Sequence, residues 1–189
     1  MRINIPDEHQ SQPIAYVKDN YAQGIMQAAL EFSRATYQHT RLTLREFEGA
    51  RVRTAQINGC ELCQTFRSGR DAEEFLSSFD GDASSIVTRG HVIPDEQYYD
   101  AVADWKVSPL FTDRERTAIE YAEGLGLDPQ GIARNEDFWQ RARSLFSDEE
   151  LVDLSYCIAS WIGNGRVSHA LGIDGVCQIG AFSRKREAA

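Results

Sequence analysis

The chain has 189 residues, 42% of them apolar and 26% charged, an ordinary globular composition with enough apolar side chains for one buried core. Twenty Lys and Arg against 29 Asp and Glu leave a formal net charge of −9, which argues against partners that need a basic footprint, nucleic acid or an anionic membrane. No stretch approaches the roughly 18 consecutive apolar residues of a membrane span, and residues 1–12 lack an apolar leader core, so a cytoplasmic protein is expected.

Residues 1–13 are polar with Pro6 and Pro13 and read as an extended arm. From 14 to 37 the spacing of Ile25, Ala28, Ala29, Phe32 and Ala35 predicts a helix with one apolar face, interrupted at Gly24. Thr43 and Glu46 form a capping-box pattern that opens a helix to Ile57. A helix over 64–70 and a short one over 71–79 follow, the latter stopped by Asp80-Gly81-Asp82. Residues 81–93 read as a connection containing Gly90-His91, with Pro94 placed to begin a short helix over 95–105.

Thr112 and Glu115 give a second capping box, with Ala118, Ile119, Ala122 and Leu125 as the apolar face behind it. Residues 126–134 read as a loop around Asp128-Pro129, and 136–145 as a helix. Ser147 and Glu150 give a third box, leading the stripe Leu151, Leu154, Ile158, Trp161 and Ile162. Gly163-Asn164-Gly165 weakens that helix, and residues from Gly172 onward read as loop and then tail. No alternating strand pattern stands out. The expectation is an all-α protein of roughly seven to nine helices, a single domain over 1–189 with the arm at 1–13, a helical core at 14–173 and a tail at 174–189.

The chemistry points to Cys60-Glu61-Leu62-Cys63, entered through Asn58-Gly59 at the corner of a predicted helical hairpin. A cysteine at a helix start meets free N–H groups and the positive dipole end, and both favour the thiolate. With the turn at Asn58, Glu48 lies ten residues before it and Arg67 nine after it, at one level of two antiparallel helices. Glu48 shares a stripe with Leu44, Val52 and Ala55, so its carboxylate needs a partner, and Arg67 is the expected one. Cys63 is placed one turn from Arg67. The expected constellation is Glu48, Arg67, Cys63 and Cys60.

These residues resemble a known family. Glu48, eleven intervening residues, then Cys60-x-x-Cys63 is similar to the core motif of the alkyl hydroperoxidase D-like group, in the carboxymuconolactone decarboxylase superfamily. Segments Phe111 to Glu123 and Phe146 to Leu154 look like the family's later helices, and the resemblance covers roughly residues 14–173. It implies an all-helical fold with the dithiol at a hairpin corner. It also implies homo-oligomers (dimers, trimers or hexamers) and thiol-dependent peroxide reduction with no metal or flavin. Cys63 would attack the peroxide, Cys60 would resolve it to a disulfide, and Glu48 would belong to the proton relay. The partners would be a hydroperoxide and a thiol/disulfide reductant. Where the peroxidases carry His this chain has Arg67, which cannot act as a base, and Leu62 stands where the family has a further His.

Other readings stand beside this one. The cysteine pair would serve as a structural disulfide, as plain buried thiols, or as half of a zinc site completed by Cys157, Cys177 or His169. The chain would then be a non-catalytic or redox-sensing helical oligomer. A decarboxylase acting on a lactone acid ranks last. His169 near Asn164-Gly165-Arg166 is a candidate substitute base, although nothing in the sequence brings it to the cysteines. His91 reads as a loop residue, Trp105, Trp139 and Trp161 as core, and Arg184-Lys185-Arg186 as a solvated tail.

Overall fold

A computed structural model of the protein describes residues 1–77 and 92–175, and every regular element among them is helical. A 3-10 turn at Asp7–His9 precedes α1 (Pro13–Asn20), α2 (Gln23–His39), α3 (Leu44–Asn58), α4 (Glu61–Thr65) and α5 (Ser68–Ser77). Then come α6 (Glu96–Ala101), continued by a 3-10 turn, α7 (Asp113–Leu127), α8 (Pro129–Arg134), α9 (Glu136–Leu145) and α10 (Asp148–Leu171). Among the described residues the fold is all-α, as expected.

All three capping boxes form. Thr43, Thr112 and Ser147 each accept from the backbone N–H three residues on, while Glu46, Glu115 and Glu150 reach back to the cap N–H. The starts of α3 and α7 are then cross-braced. Arg45 on α3 pairs with Glu115, the capping acid of α7, and Arg114 on α7 pairs with Glu46, the capping acid of α3. Arg114 also reaches Glu150 of α10 at 2.8 Å, so one guanidinium ties three helix N-termini together.

α3 is the axis of the fold. Leu44, Phe47 and Ala50 join Ala118 and Tyr121 of α7, and Leu154, Ile158 and Trp161 of α10, in the main core. Its other side, through Val52, meets Tyr98, Tyr99, Val102, Trp105, Phe111 and Ile119 in a second cluster. A third cluster joins Ile5, Ile14, Val17 and Ile173, with Ile3, Leu62 and Leu171 packed against it.

Several sequence expectations change. Residues 1–13 do not stand free as an arm: Ile5 is buried, and the Arg2 N–H donates to the Leu171 carbonyl at 2.8 Å. The helix read over 14–37 is two helices, broken at Tyr21 and Ala22. The apolar face of α2 points outward, with Ile25 78% and Phe32 40% exposed. The predicted loop at 126–134 contains α8, started by Asp128 accepting from the Gly131 N–H with Pro129 at the first helical position. Gly163 and Gly165 do not interrupt α10. At Gly165 a Cβ would lie 2.5 Å from Asn58 Nδ2, so its absence lets α10 approach the end of α3. The Asp80-Gly81-Asp82 stop, His91, Cys177 and the Arg184-Lys185-Arg186 tail lie outside the described residues.

The brace carries a test. Arg114→Met keeps the stem but leaves buried Glu46 without its cation, and is expected to lower unfolding stability by about 2 kcal/mol in urea titration. Arg41→Met, which removes a largely exposed partner of Asp153, is expected to cost under about 1 kcal/mol in the same measurement.

Candidate functional site

The Asn-Gly break is a Schellman-type helix end. Gly59 takes φ 71°, its N–H donates to the Gln56 carbonyl at 3.2 Å, and the Cys60 N–H donates to the Ala55 carbonyl at 3.2 Å. That turn delivers Cys60 directly to the N-cap of α4, where its sulfur accepts from the Cys63 N–H at 3.3 Å. The two sulfurs are joined as a disulfide, with Cα atoms 5.3 Å apart. Cys60 is fully buried and Cys63 half-buried, so Cys63 is the less enclosed of the two.

Glu48 has a different partner from the one expected. Its completely buried carboxylate pairs with Arg51, one turn on along α3, with Nε to Oε1 at 2.5 Å and Nη2 to Oε2 at 3.0 Å. Ser68 donates to it from both its backbone N–H (3.0 Å) and its hydroxyl (2.5 Å), and the Tyr99 hydroxyl donates at 2.7 Å. Burial alone would raise the pKa of Glu48 above the usual carboxylate range. The adjacent Arg51 charge and these donors overcome that and hold it below the range, so the carboxylate is ionised. Burial and the carboxylate beside it push the Tyr99 hydroxyl well up, which keeps it a donor.

Arg51 then reaches into the redox corner. Its Nη1 donates to the Cys63 carbonyl at 2.7 Å and its Nη2 to the Phe66 carbonyl at 2.6 Å. Both groups lie where α4 ends, so the buried pair fixes the backbone that carries Cys63. The sequence offered a signal for Arg51 in its position three residues after Glu48, a spacing that pairs charges on one helix.

Arg67 takes other partners. The helix predicted over 64–70 is split, α4 closing at Thr65 and α5 starting at Ser68, and Arg67 stands in the break between them. It pairs with Glu96 at 3.0 Å, stacks 4.0 Å over the Tyr99 ring and donates to the Gln64 carbonyl at 2.5 Å. The expected Glu48–Arg67 pair is therefore corrected to Glu48–Arg51, with Arg67 stacked on Tyr99 and paired with Glu96. Ser68, Tyr99 and Asp174 carried no motif that would have singled them out.

Cys157 does not join the pair. It is buried in the main core, and burial pushes its thiol up to about 12 despite a hydrogen bond with Thr40. Among the described residues no group of three or more His, Cys, Asp or Glu is placed to hold a metal ion. No helix among them is long and apolar enough to cross a membrane. His169 stands at the corner, bonded to Asp174, which itself accepts from the Glu61 N–H at the start of α4.

No family model matches the chain. It is 30% identical over 130 residues to the uncharacterized protein YnjA of Escherichia coli K12, a match spanning 68% of this chain and 60% of YnjA. The chain thus matches less than two thirds of that relative's length. Its fold is similar to that of a protein of unknown function from Agrobacterium tumefaciens, named as a proposed antioxidant defence protein AhpD. There the TM-score is 0.59 at 23% identity, over 81% of this chain and 93% of the other. It is also similar to an uncharacterized peroxidase-related protein from Silicibacter sp. TM1040, with TM-score 0.57 at 17% identity over 90% and 85% of the two chains. The AhpD-like helical fold implied by the sequence motif is the fold of this chain.

Replacing Arg51 by Met leaves a buried carboxylate unpaired, and an unfolding loss of about 3–5 kcal/mol near neutral pH is expected. Arg67→Met, whose partner Glu96 is largely exposed, is expected to cost under about 1 kcal/mol. Because Glu48 is held below the usual value of 4.5, its contribution is present above that pH and is lost as the pH falls through its lower folded value. The Arg51→Met penalty should therefore shrink in acid, where the stranded carboxyl takes up a proton. Urea unfolding of both variants across pH checks the size and the sign.

Proposed function

We infer that the protein is a thiol-dependent, peroxidase-like oxidoreductase that reduces hydroperoxides through the Cys60–Cys63 dithiol. The observation that carries this reading is a disulfide at the start of a short helix, its less enclosed cysteine on a backbone anchored by a buried ion pair. The Cys63 thiol gives its proton to solvent, and the thiolate attacks the outer peroxide oxygen. The O–O bond breaks, and a sulfenic acid forms on Cys63 while the alkoxide leaves and takes a proton back as the alcohol. Cys60 attacks that sulfur, forming the disulfide and releasing water. An external dithiol then restores the pair by exchange, attacking Cys63 as the less enclosed of the two. Glu48 is a positioning residue acting through Arg51, and Arg67 supplies positive charge on the same corner. This cycle calls for no metal or flavin.

A homo-oligomer goes with this reading. Phe32 of α2 meets Tyr156 of α10 edge-on at 6.4 Å, and Ile25 and Val152 continue the same two helix faces. All four side chains are exposed, an outer apolar face suited to a second copy. Ile25→Glu is expected to lower the mass measured by light scattering.

A second reading, a redox-responsive latch without turnover, is favoured by the engagement of Arg67 with Glu96 and Tyr99 rather than with a sulfur. Stopped-flow oxidation of the reduced protein by hydrogen peroxide and an organic hydroperoxide decides between them, with mass spectrometry to identify the bond. The expected result is oxidation much faster than that of free cysteine, ending in a Cys60–Cys63 bond. Cys63→Ser is expected to abolish the reaction, and Cys60→Ser to stop it at the sulfenic acid and abolish turnover. Reaction at the rate of free cysteine would leave the latch.

A further inference from the structure

Two helix ends close on the dithiol from different parts of the chain. α10 finishes as α3 does: Gly172 takes φ 67°, its N–H donates to the His169 carbonyl at 2.9 Å, and the Ile173 N–H donates to the Ser168 carbonyl at 3.0 Å. This turn sets Asp174 beside the start of α4. Its Oδ2 accepts from the Glu61 N–H at 3.1 Å and lies 3.1 Å from His169 Nδ1. Asp174 is buried, while the His169 side chain is 54% exposed.

The other ring nitrogen lies against Gly59, the residue before Cys60. A Cβ placed on Gly59 would lie 3.0 Å from His169 Nε2, and Gly59 immediately precedes Cys60. A carboxylate against Nδ1 fixes the tautomer that carries its proton there and leaves the Nε2 lone pair open. Three other charged groups of this corner are poorly suited to take a proton. Arg51 and Arg67 stay cationic, and Glu48 is ionised but spends its oxygens on Arg51, Ser68 and Tyr99.

We propose that His169, oriented by Asp174, is the base that takes the proton of the Cys60 thiol when the disulfide closes. The assignment rests on the dithiol reading above and adds the group that reading lacks. Cys60 gives its proton to Nε2, directly or through one water. The resulting thiolate attacks the Cys63 sulfur; the S–S bond forms and the bond from Cys63 to its leaving group breaks. The imidazolium returns the proton to that group, so a sulfenic acid yields water and a mixed disulfide yields a free thiol. Cys63, the half-buried partner, gives its proton to solvent before it attacks, so this base serves the second step. Among the described residues Asp174 contacts the imidazole, and Glu61 of α4, Arg166 one turn earlier on α10 and the Met1 amino group beside Gly172 are the charges on neighbouring segments.

The test uses the full chain in a Cys177→Ser background, reduced and mixed in stopped flow with dithiodipyridine, which releases one chromophore when Cys63 attacks and a second when Cys60 closes the bond. Cys60→Ser identifies the second phase by removing it. His169→Ala is expected to leave the first phase unchanged and to slow the second about tenfold or more, with free imidazole in the buffer restoring it. A second phase unchanged in His169→Ala, or one that imidazole does not restore, overturns the proposal. No peroxide enters this assay. Failure of the wild-type protein to react with peroxide would therefore remove the peroxidase reading without touching this result.

Discussion

The ion pair between Glu48 and Arg51 is the constraint on which the redox corner depends. Two charges taken out of water inside one helix are unfavourable unless every remaining donor and acceptor finds a partner. Those requirements dictate what surrounds α3. The spare acceptors of Glu48 draw in the first residue of α5 and the hydroxyl of Tyr99, and the spare donors of Arg51 draw in the carbonyls at the end of α4. A helix of five residues has little stability of its own. α4 persists because its start is capped by Cys60 and by the C-terminal segment, and its end is held by Arg51.

The opposite end of α3 solves a related problem with different chemistry. Each capping acid there serves its own helix and a cation from another, so the free N–H groups of helix starts and the charges that shield them form one network. Glu46 and Glu115 are nearly buried without being stranded for this reason. The central helix is therefore fixed in register at one end by shared caps and at the other by the disulfide corner. Between them lie the Glu48–Arg51 pair and ordinary packing against α7 and α10.

Much of this was legible in the sequence because the signals were local. All three capping boxes formed where Thr43, Thr112 and Ser147 placed them, and the Asn-Gly break put Cys60 at a helix start. The need of Glu48 for a cation was also legible. Its identity was misread, because matching levels across a hairpin presumes two straight helices, and α4 ends after one turn. Arg51 was close enough in sequence to be the answer. The outward face of α2 shows another limit: periodicity reveals that Ile25 and Phe32 share a face, not what covers it. His169 and Asp174 reach the corner only through the geometry of a helix end more than a hundred residues from Cys60, and no spacing rule encodes that. Gly165 read as a weakness because its lack of a side chain matters only once Asn58 is beside it.

The side chain between the two cysteines packs against a cluster of its own. Leu62 rests on Ile5, Ile14, Val17 and Ile173, residues from the two extremities of the described chain, and this cluster is separate from the main core. The disulfide corner is thus tethered on one side to the small periphery of the fold and on the other, through Arg51, to its centre. Such a periphery can fray while α3, α7 and α10 stay packed, because local opening follows the boundaries of packed units. Local opening there would loosen α4 at Leu62 while the contacts of the main core stay in place.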